Sequence, residues 1–384
     1  MNLYEHEGKE LLRKSGVTVP KSALINVVEE IPEMAYPAFA KAQILSGGRL
    51  EAGGIILAEN SEELGRGVKK LLQSKIKGWP VVGVLVEEKV LYDSAEYFVS
   101  FSCDPKTRTV LFTVSNKGGT GIEGRAVVSA PIDLDIPHFP KTLIPEDVLR
   151  KLFAIFCAND CLLLEVNPLV LARDTKGWVA LDVKIVLDDS SLVRHPEFHY
   201  PDRPTAPNHH VSPRERAAKE IDKGDHRGTA GSTYLDLDGD IAMLPSGGGA
   251  SLTAMDALSR LGGKPANYTE YSGNPTGEKV KRLVSIVVSK PGLRALWVVG
   301  AIANFTDVAE TLRGLIEGLR HARKELNLPI DYPIVIRRAG PRDLEAYAML
   351  REVKDFNLHV SGEETSIEQS AEEVVKLAQA YKYA

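Results

Sequence analysis

The chain is poor in cysteine: Cys103, Cys157 and Cys161 are its only three in 384 residues. So sparse and odd a set, without metal-ligand spacing, indicates neither a disulfide framework nor a zinc site. Cys157 and Cys161, where a helix gives way to a strand, are expected as small buried hydrophobes. A basic surplus is missing too. The formal net charge is −5 with no basic stripe, which argues against a nucleic-acid partner. No apolar run approaches the length of a membrane span, and the opening MNLYEHEGKELLRK is too polar for a signal peptide. No membrane partner is therefore expected, and the expected location is the cytoplasm. No internal repeat stands out. What remains is ordinary globular composition, 43% hydrophobic and 26% charged, in a chain long enough for two or three domains with separate cores.

Periodicity divides the chain in three. From the start to about residue 190 the reading is α+β. A helix over Leu3 to Lys14 stops at Gly16, and strands follow near Ala23 to Val27 and Ala38 to Ala42. A Gly-rich loop, Ser46 to Gly54, precedes a strand over Ile55 to Glu59 and a helix opened by Asn60 and Glu63 in capping-box spacing. Strands over Val81 to Glu88, Glu96 to Cys103 and Thr109 to Val114, with short polar turns, predict antiparallel pairing, and a helix over Pro145 to Asn159 follows. Residues 191–231 are rich in Pro and His and have no period, so they are expected as a surface linker. The spacing of His195, His199, His209 and His210 fits no helix face or ligand turn, which favours linker over metal site. Residues 232–384 alternate strand and helix, with one of the strands over Ala266 to Tyr271, the pattern of a doubly wound parallel sheet.

Two places carry chemistry. Leu162 to Asp189 reads as a hairpin, turning at Asn167-Pro168 and breaking at Asp174 to Gly177, that brings Glu165, Asn167 and Asp182 to one end. One carboxylate and one amide oxygen are about what a protein supplies to Mg²⁺ at a nucleotide site. The alternative is a buried hairpin whose polar residues cap their own turn. Glu165 favours the first reading, because a carboxylate on an otherwise apolar strand is costly to bury without a task. In the parallel-sheet region, ligands are expected beyond the carboxyl ends of the strands. Four loops lie there. Ser246 to Ser251 opens a helix with bare glycine amides, Gly248 and Gly249 followed by Ala250, which suit an anion. Ser272 to Gly277, Gly300 to Thr306 and Arg337 to Pro341 complete a rim suited to a small polyanion. Gly118-Gly119-Thr120-Gly121 is read as a turn.

These residues resemble a known family. The first region is similar to the ATP-grasp fold of the nucleotide-binding β subunits of acyl-CoA synthetases, of which succinyl-CoA synthetase is the familiar member. Lys41-Ala42-Gln43 with Ser46-Gly47-Gly48-Arg49 resembles the nucleotide loop. Glu165-Val166-Asn167-Pro168-Leu169 with Leu181-Asp182-Val183-Lys184 resembles the metal hairpin. Leu237 to Ile241, Gly262 to Asn267 and Gly300 to Thr306 resemble the ligase domain of the same subunit. Gly247 to Ser251, Tyr271 to Gly273, Ile302 to Thr306 and Val335 to Pro341 lean toward the citrate-using branch, ATP-citrate lyase and citryl-CoA synthetase. Citrate, with three carboxylates and a hydroxyl, asks for more donors than succinate.

The resemblance implies ATP and Mg²⁺ as ligands, with Lys41, Gly47, Gly48 and Arg49 on the nucleotide, Glu87 and Glu96 near the base and ribose, and Asn167 and Asp182 on the metal. It implies Glu165 as the group that orients an incoming imidazole, and Gly248, Gly249, Ala250, Asn304, Phe305, Thr306 and Arg338 as the citrate site. Arg337 is the weaker of the arginine pair, since neighbours on a strand point to opposite sides. No histidine here is followed by Ala-Gly, so the phosphate-accepting histidine is expected on an α-type partner in a hetero-oligomer, with most of the CoA site and any citrate-synthase-like cleavage module. One departure stands in the nucleotide loop. The succinate enzymes usually read Gly-Gly-Arg-Gly-Lys, and this chain has Gly47-Gly48-Arg49-Leu50-Glu51. Two other readings stay open: a succinate-type synthetase subunit, and a non-enzymatic citrate or nucleotide sensor.

Overall fold

Two units, Met1–His210 and Val211–Ala384, fold around separate cores. The computed structural model describes the chain apart from Ser94, residues 120–126, His199, residues 201–202, residues 204–210 and residues 383–384.

In the first unit, α1 (Glu5–Lys14), β1 (Ser22–Ile25), β2 (Ala38–Ala42), β3 (Ile55–Ala58), α2 (Ser61–Leu72), β4 (Lys75–Ile76), β5 (Trp79–Pro80) and β6 (Val84–Glu88) come first. Then follow β7 (Tyr97–Asp104), β8 (Thr109–Ser115), β9 (Val128–Ile132), α3 (Glu146–Ala158), β10 (Cys161–Leu171), β11 (Trp178–Ala180) and β12 (Val183–Leu187). One antiparallel sheet has the order β1-β6-β2-β3, and a second runs β11-β10-β7-β8-β9 with β12 also on β10. Alternation sorts the side chains of the first sheet. Ala38, Ala40 and Ala42 of β2, with Val84 and Val86 of β6, pack with Leu64, Val68 and Leu71 of α2. Lys41 and Glu87 are thereby turned to the opposite face. The Asn60 side chain accepts from the Glu63 amide and starts α2, as the spacing predicts.

Through the hairpin β10 keeps one register with β12 and β11, while its pairing with β7 shifts between Val166 and Leu169. Val166 pairs with Val183 and Leu169 with Ala180, so Leu181 and Asp182 fall opposite Asn167 and Pro168. Backbone bonds from Asn167 to the Asp182 carbonyl (3.1 Å) and from Leu181 to the Pro168 carbonyl (3.0 Å) carry that pairing on between the two strands. β10 therefore runs through Asn167-Pro168 instead of turning there, and pairing alone sets Asn167 beside Asp182. Cys161 is buried, whereas Cys157, expected to be buried, is exposed on the last turn of α3.

The second unit holds α4 (Pro213–Lys219), β13 (Thr229–Ala230), β14 (Leu235–Asp236), β15 (Ile241–Ser246), α5 (Gly248–Arg260), β16 (Asn267–Tyr268) and β17 (Tyr271–Ser272). After them come α6 (Gly277–Val288), β18 (Ala295–Ile302), α7 (Val308–Glu325), β19 (Ile334–Ala339), α8 (Asp343–Arg351), β20 (Leu358–Ser361) and α9 (Ile367–Ala380). The sheet order is β13-β17-β15-β18-β19-β20, parallel except for β13. Leu296, Val298, Ile334 and Ile336 share a core with α6, α7 and α8, while Trp297, Val299 and Val335 share one with α5 and α9. Helices thus cover both faces, the doubly wound arrangement. The single strand expected over Ala266 to Tyr271 is instead split into β16 and β17. The Asn267 side chain explains the break: its amide accepts from the Met243 N–H and donates to the Met243 carbonyl, both at 2.9 Å, standing in for a backbone partner. No helix among the described residues is long and apolar enough to cross a membrane.

The segment 191–231, expected as an unstructured linker, carries order at both ends. Ser212 and Glu215 cap α4 reciprocally with Pro213 in the first turn, a start signal hidden in sequence by the surrounding prolines. β13 joins the sheet, and the buried Lys279 of α6 donates to the carbonyls of Asp225 (2.7 Å) and Gly228 (3.0 Å). His199, His209 and His210 lie outside the described residues. His195 belongs to the first unit, its Nε2 2.9 Å from Asp160 Oδ2 and its Nδ1 3.2 Å from Glu197 Oε1. The Asp160 hydrogen bond, then that of Glu197, raises its imidazole pKa. A raised folded value means that its stabilisation is complete below about pH 6.5, the ordinary imidazole value, and is lost as pH rises through the folded value. The His195 ring protons are expected to titrate above that ordinary value by NMR; titration at or below it would show the pair to be absent in solution.

Candidate functional site

A buried charge cluster forms where α1, β2, β6, the Gly-rich loop and the hairpin meet. On α1, Glu5, Gly8, Lys9 and Leu12 share a helical face. Gly8 permits the approach, since a Cβ there would lie 2.9 Å from Val183 of β12. Glu5 is 4% exposed and meets three cations: Lys9 Nζ at 2.7 Å, Lys41 Nζ at 3.2 Å and Arg49 Nη1 at 2.6 Å. Glu87 pairs with Lys9 at 2.5 Å and also with Lys41. Lys41 donates to the Leu181 carbonyl at 2.9 Å, and Arg49 Nη2 donates to both carboxylate oxygens of Asp182, at 2.9 and 2.7 Å.

The cluster balances three carboxylates, Glu5, Glu87 and Asp182, against three cations, Lys9, Lys41 and Arg49. Burial pushes the Glu5 carboxyl up, but the charges of Arg49, Lys41 and Lys9 outweigh it and hold Glu5 well below the usual range. Burial opposes the charge on Lys41, and Glu5, Glu87 and Asp182 more than offset this and raise its pKa. Glu5 and Lys41 are therefore held charged by their partners, and loss of any one member of the cluster leaves a neighbour uncompensated in a poorly solvated place.

A second group stands beside the first. The Asn167 amide accepts from the Gly119 N–H at 2.6 Å and donates to the Gly119 carbonyl at 3.1 Å. Glu96 accepts from the Tyr92 hydroxyl at 2.7 Å, and a Cβ on Gly119 would come within 2.5 Å of its Oε2. The Gly118-Gly119 turn is thus a hub between Glu96 and Asn167; Thr120 and Gly121 lie outside the described residues. Glu165, half-buried two residues before Asn167, pairs across the sheet with Lys184 and Ser100. In the Gly-rich loop, Lys77 donates to the Gly47 carbonyl at 2.8 Å, and Gly48 has the positive φ (66°) that favours glycine. Lys77 supplies a cation near the loop in which Glu51 replaces the usual lysine.

Lys41, Arg49, Glu87 and Asp182 are therefore together, with Asn167 and Glu96 alongside. Glu87, expected near the base and ribose, has its carboxylate engaged by two ammonium groups, and Arg49, expected at the nucleotide, lies on the carboxylate expected for the metal. The donor set suits Mg²⁺, since Asn167 and Asp182 offer hard oxygens on neighbouring backbone. Glu5 and Lys9 escaped sequence reasoning, although their spacing with Gly8 and Leu12 marks them as part of an inward face.

In the second unit the expected residues gather at the carboxyl ends of β15, β18 and β19. Gly247 (φ 89°) caps α5, and nothing lies within 4 Å of a Cβ built on Gly248 or Gly249, so the helix opens into free space. Asn304 and Phe305 are exposed on the loop after β18, and Thr306 is buried. Arg338 is only 1% exposed. Its Nη1 makes one long bond, 3.4 Å to the Ala301 carbonyl, while Nε and Nη2 have no partner. Its guanidinium carbon lies 5.7 Å from the Tyr271 ring centre. A Cβ on Gly300 would fall 2.1 Å from Nη1, so only glycine admits the guanidinium here. Arg337 takes the other face and is satisfied by the carbonyls of Gly300 (2.5 Å) and Thr365 (2.7 Å). Of the two arginines, Arg338 keeps donors to spare.

Comparison with known proteins agrees with this division. Residues 2–134 match the ATP-grasp domain family, and residues 209–378 match the ATP citrate lyase citrate-binding family. The β subunit of ADP-forming succinate–CoA ligase from Desulfurococcus amylolyticus is 32% identical over 92% of this chain and 94% of its own length. That of Methanothermobacter thermautotrophicus is 32% identical over 98% and 99%. Among solved structures, ATP citrate lyase from Methanothrix soehngenii, in complex with citrate and coenzyme A, has the same fold, with a TM-score of 0.77 at 24% identity over 99% of both chains. The chain belongs to the family of ATP-grasp, β-type subunits of ADP-forming CoA ligases.

Proposed function

We propose that the chain is the ATP-grasp subunit of a citrate-activating enzyme of the ATP-citrate lyase type, binding Mg-ATP in its first unit and citrate in its second. The observation that carries the citrate assignment is Arg338, a buried guanidinium with two donors unspent, at the sheet end where the amides of α5 open into space. An anion with several carboxylates is the partner such donors lack. The citrate-binding family match over the same unit supports it.

In this reading Lys41 and Arg49 meet the phosphates, with Gly47 and Gly48 allowing close approach, and Glu96 serves the base and ribose side. Asn167 and Asp182 hold the magnesium, which when bound neutralises charge on the phosphates. Phosphoryl transfer asks mainly for alignment and charge compensation, which these groups provide. The acceptor is a histidine on an α-type partner, oriented by Glu165. The γ-phosphoryl moves to its ring nitrogen as ADP leaves, then to a citrate carboxylate held by Gly248, Gly249, Ala250, Asn304, Phe305, Thr306 and Arg338. The CoA sulfur, bound mainly by the partner, attacks the resulting acyl phosphate and expels phosphate, giving citryl-CoA.

A second reading has its own support: the two relatives at 32% identity described above are succinate–CoA ligase subunits. The two separate in one assay. The chain, purified with its co-expressed partner and given ATP and CoA, is expected to form ADP and a citrate-derived thioester, or its cleavage products, by mass spectrometry. Succinyl-CoA formed at equal or greater rate, with no citrate dependence, would transfer the assignment to the succinate reading.

A further inference from the structure

We propose that Arg49 is a resident counter-ion on the metal-site carboxylate, so that the chain takes up its divalent cation tightly only when the phosphates of the nucleotide draw Arg49 away from Asp182. The inference rests on the reading of Asn167 and Asp182 as metal ligands.

The atoms in question are already occupied. Arg49 Nη2 donates to both oxygens of Asp182, the same oxygens a hard cation needs. A guanidinium cannot give up its charge by losing a proton, so a cation arriving alone meets a permanent positive charge at its ligand. Charge counting points the same way. Glu5, Glu87 and Asp182 already balance Lys9, Lys41 and Arg49, and a lone dication leaves the cluster with excess positive charge in a buried place. A dication arriving with a polyphosphate does not. Phosphate is also the anion that guanidinium binds as readily as carboxylate, so it can take over the contact that Asp182 gives up.

The surroundings suit an exchange. Arg49 is itself 8% exposed, but the Asp182 side chain is 32% exposed, so the carboxylate has an open side from which a ligand can approach. Arg49 sits on the loop between β2 and β3, between Gly48 (φ 66°) and Gly53 (φ 73°), positions where the backbone is already in the region that glycine enters freely. Glu5, 2.6 Å from Nη1, remains as a second anchor when Nη2 changes partner. Asn167 has a parallel arrangement, its amide oxygen bonded to the Gly119 N–H. Both oxygen donors of the site are thus engaged by protein groups. Arg49 is a positioning residue in this account, making metal binding conditional on nucleotide.

The test is Mn²⁺ binding to the full-length chain, by electron paramagnetic resonance of free Mn²⁺ and by calorimetry, with and without the non-hydrolysable analogue adenylyl imidodiphosphate. Wild type is expected to bind Mn²⁺ weakly alone and more tightly with the analogue, by a factor in the range of about 5–150 typical of coupled sites. Arg49→Gln is expected to bind Mn²⁺ alone more tightly than wild type and to lose most of that coupling. Arg49→Met, apolar and of similar length, is expected to do the same and stands in should the glutamine variant fail to fold. Mn²⁺ binding alone that is no tighter in either folded variant than in wild type overturns the inference and leaves the nucleotide reading intact. If instead Asp182→Asn binds Mn²⁺ with the analogue as well as wild type does, the metal reading fails and the inference falls with it.

Discussion

Asp182→Ala, assembled with its partner, is expected to lower ATP turnover by roughly 10²–10³ or more, the scale of deleting one preorganised electrostatic group from an active site. Two effects act together. The proposed metal loses a charged oxygen, and Arg49 loses the carboxylate that accepts both bonds from its Nη2. The freed guanidinium then remains beside Lys41 and Lys9 with one anion fewer, so nucleotide affinity is expected to change as well as rate. The measurement is ADP release in the presence of CoA and the organic acid, with a thermal melt to show that the variant is folded. A folded Asp182→Ala protein that keeps turnover within tenfold of wild type would remove Asp182 from the metal site and favour the reading of this hairpin as one whose polar residues cap their own turn.

Gly300→Ala is expected to act on the other unit alone. The added methyl falls 2.1 Å from Arg338 Nη1, a distance no real contact allows, so the guanidinium must leave its place above Tyr271. Losing one charge-assisted hydrogen bond, about 1.5–3 kcal/mol, corresponds to a rise in KM for the acid of roughly 10- to 100-fold. KM for ATP is expected to stay unchanged. Arg338→Lys should behave similarly, because a point charge does not reproduce a planar donor set. A citrate KM in Gly300→Ala equal to that of wild type would mean that Arg338 does not meet the substrate.

Much of this architecture is legible without coordinates, for a reason visible in particular elements. The helices and strands of the second unit follow apolar periodicity with ends set by caps, such as Thr276 before α6, Asp307 before α7 and Ser366 before α9. The hairpin is legible in kind because apolar alternation and the Asp174 to Gly177 break both survive. The continuation of β10 through Asn167-Pro168, and its register shift there against β7, are not, since they depend on which residue pairs with which across the strands. The same limit applies to α4, hidden among prolines, and to the split of β16 from β17, which follows from one asparagine amide substituting for backbone. The site shows the division most clearly. Lys41, Arg49, Asn167 and Asp182 can be picked out as residue types in motifs, but the contact of Arg49 with Asp182 is tertiary and joins residues far apart in sequence. Glu5 and Lys9 carry no motif at all, and only their shared helical face marks them.

β19 carries guanidinium groups at neighbouring positions, Arg337 and Arg338. Because successive side chains project to opposite sides, a one-residue insertion upstream in β19 would normally remove a polar group from its position and install an apolar one. Here the same error delivers Arg337 to the side facing Tyr271 in place of Arg338. Duplicated chemistry at adjacent positions thus keeps a guanidinium beside the aromatic ring after such a slip, at the expense of the bonds that Arg337 makes to the Gly300 and Thr365 carbonyls.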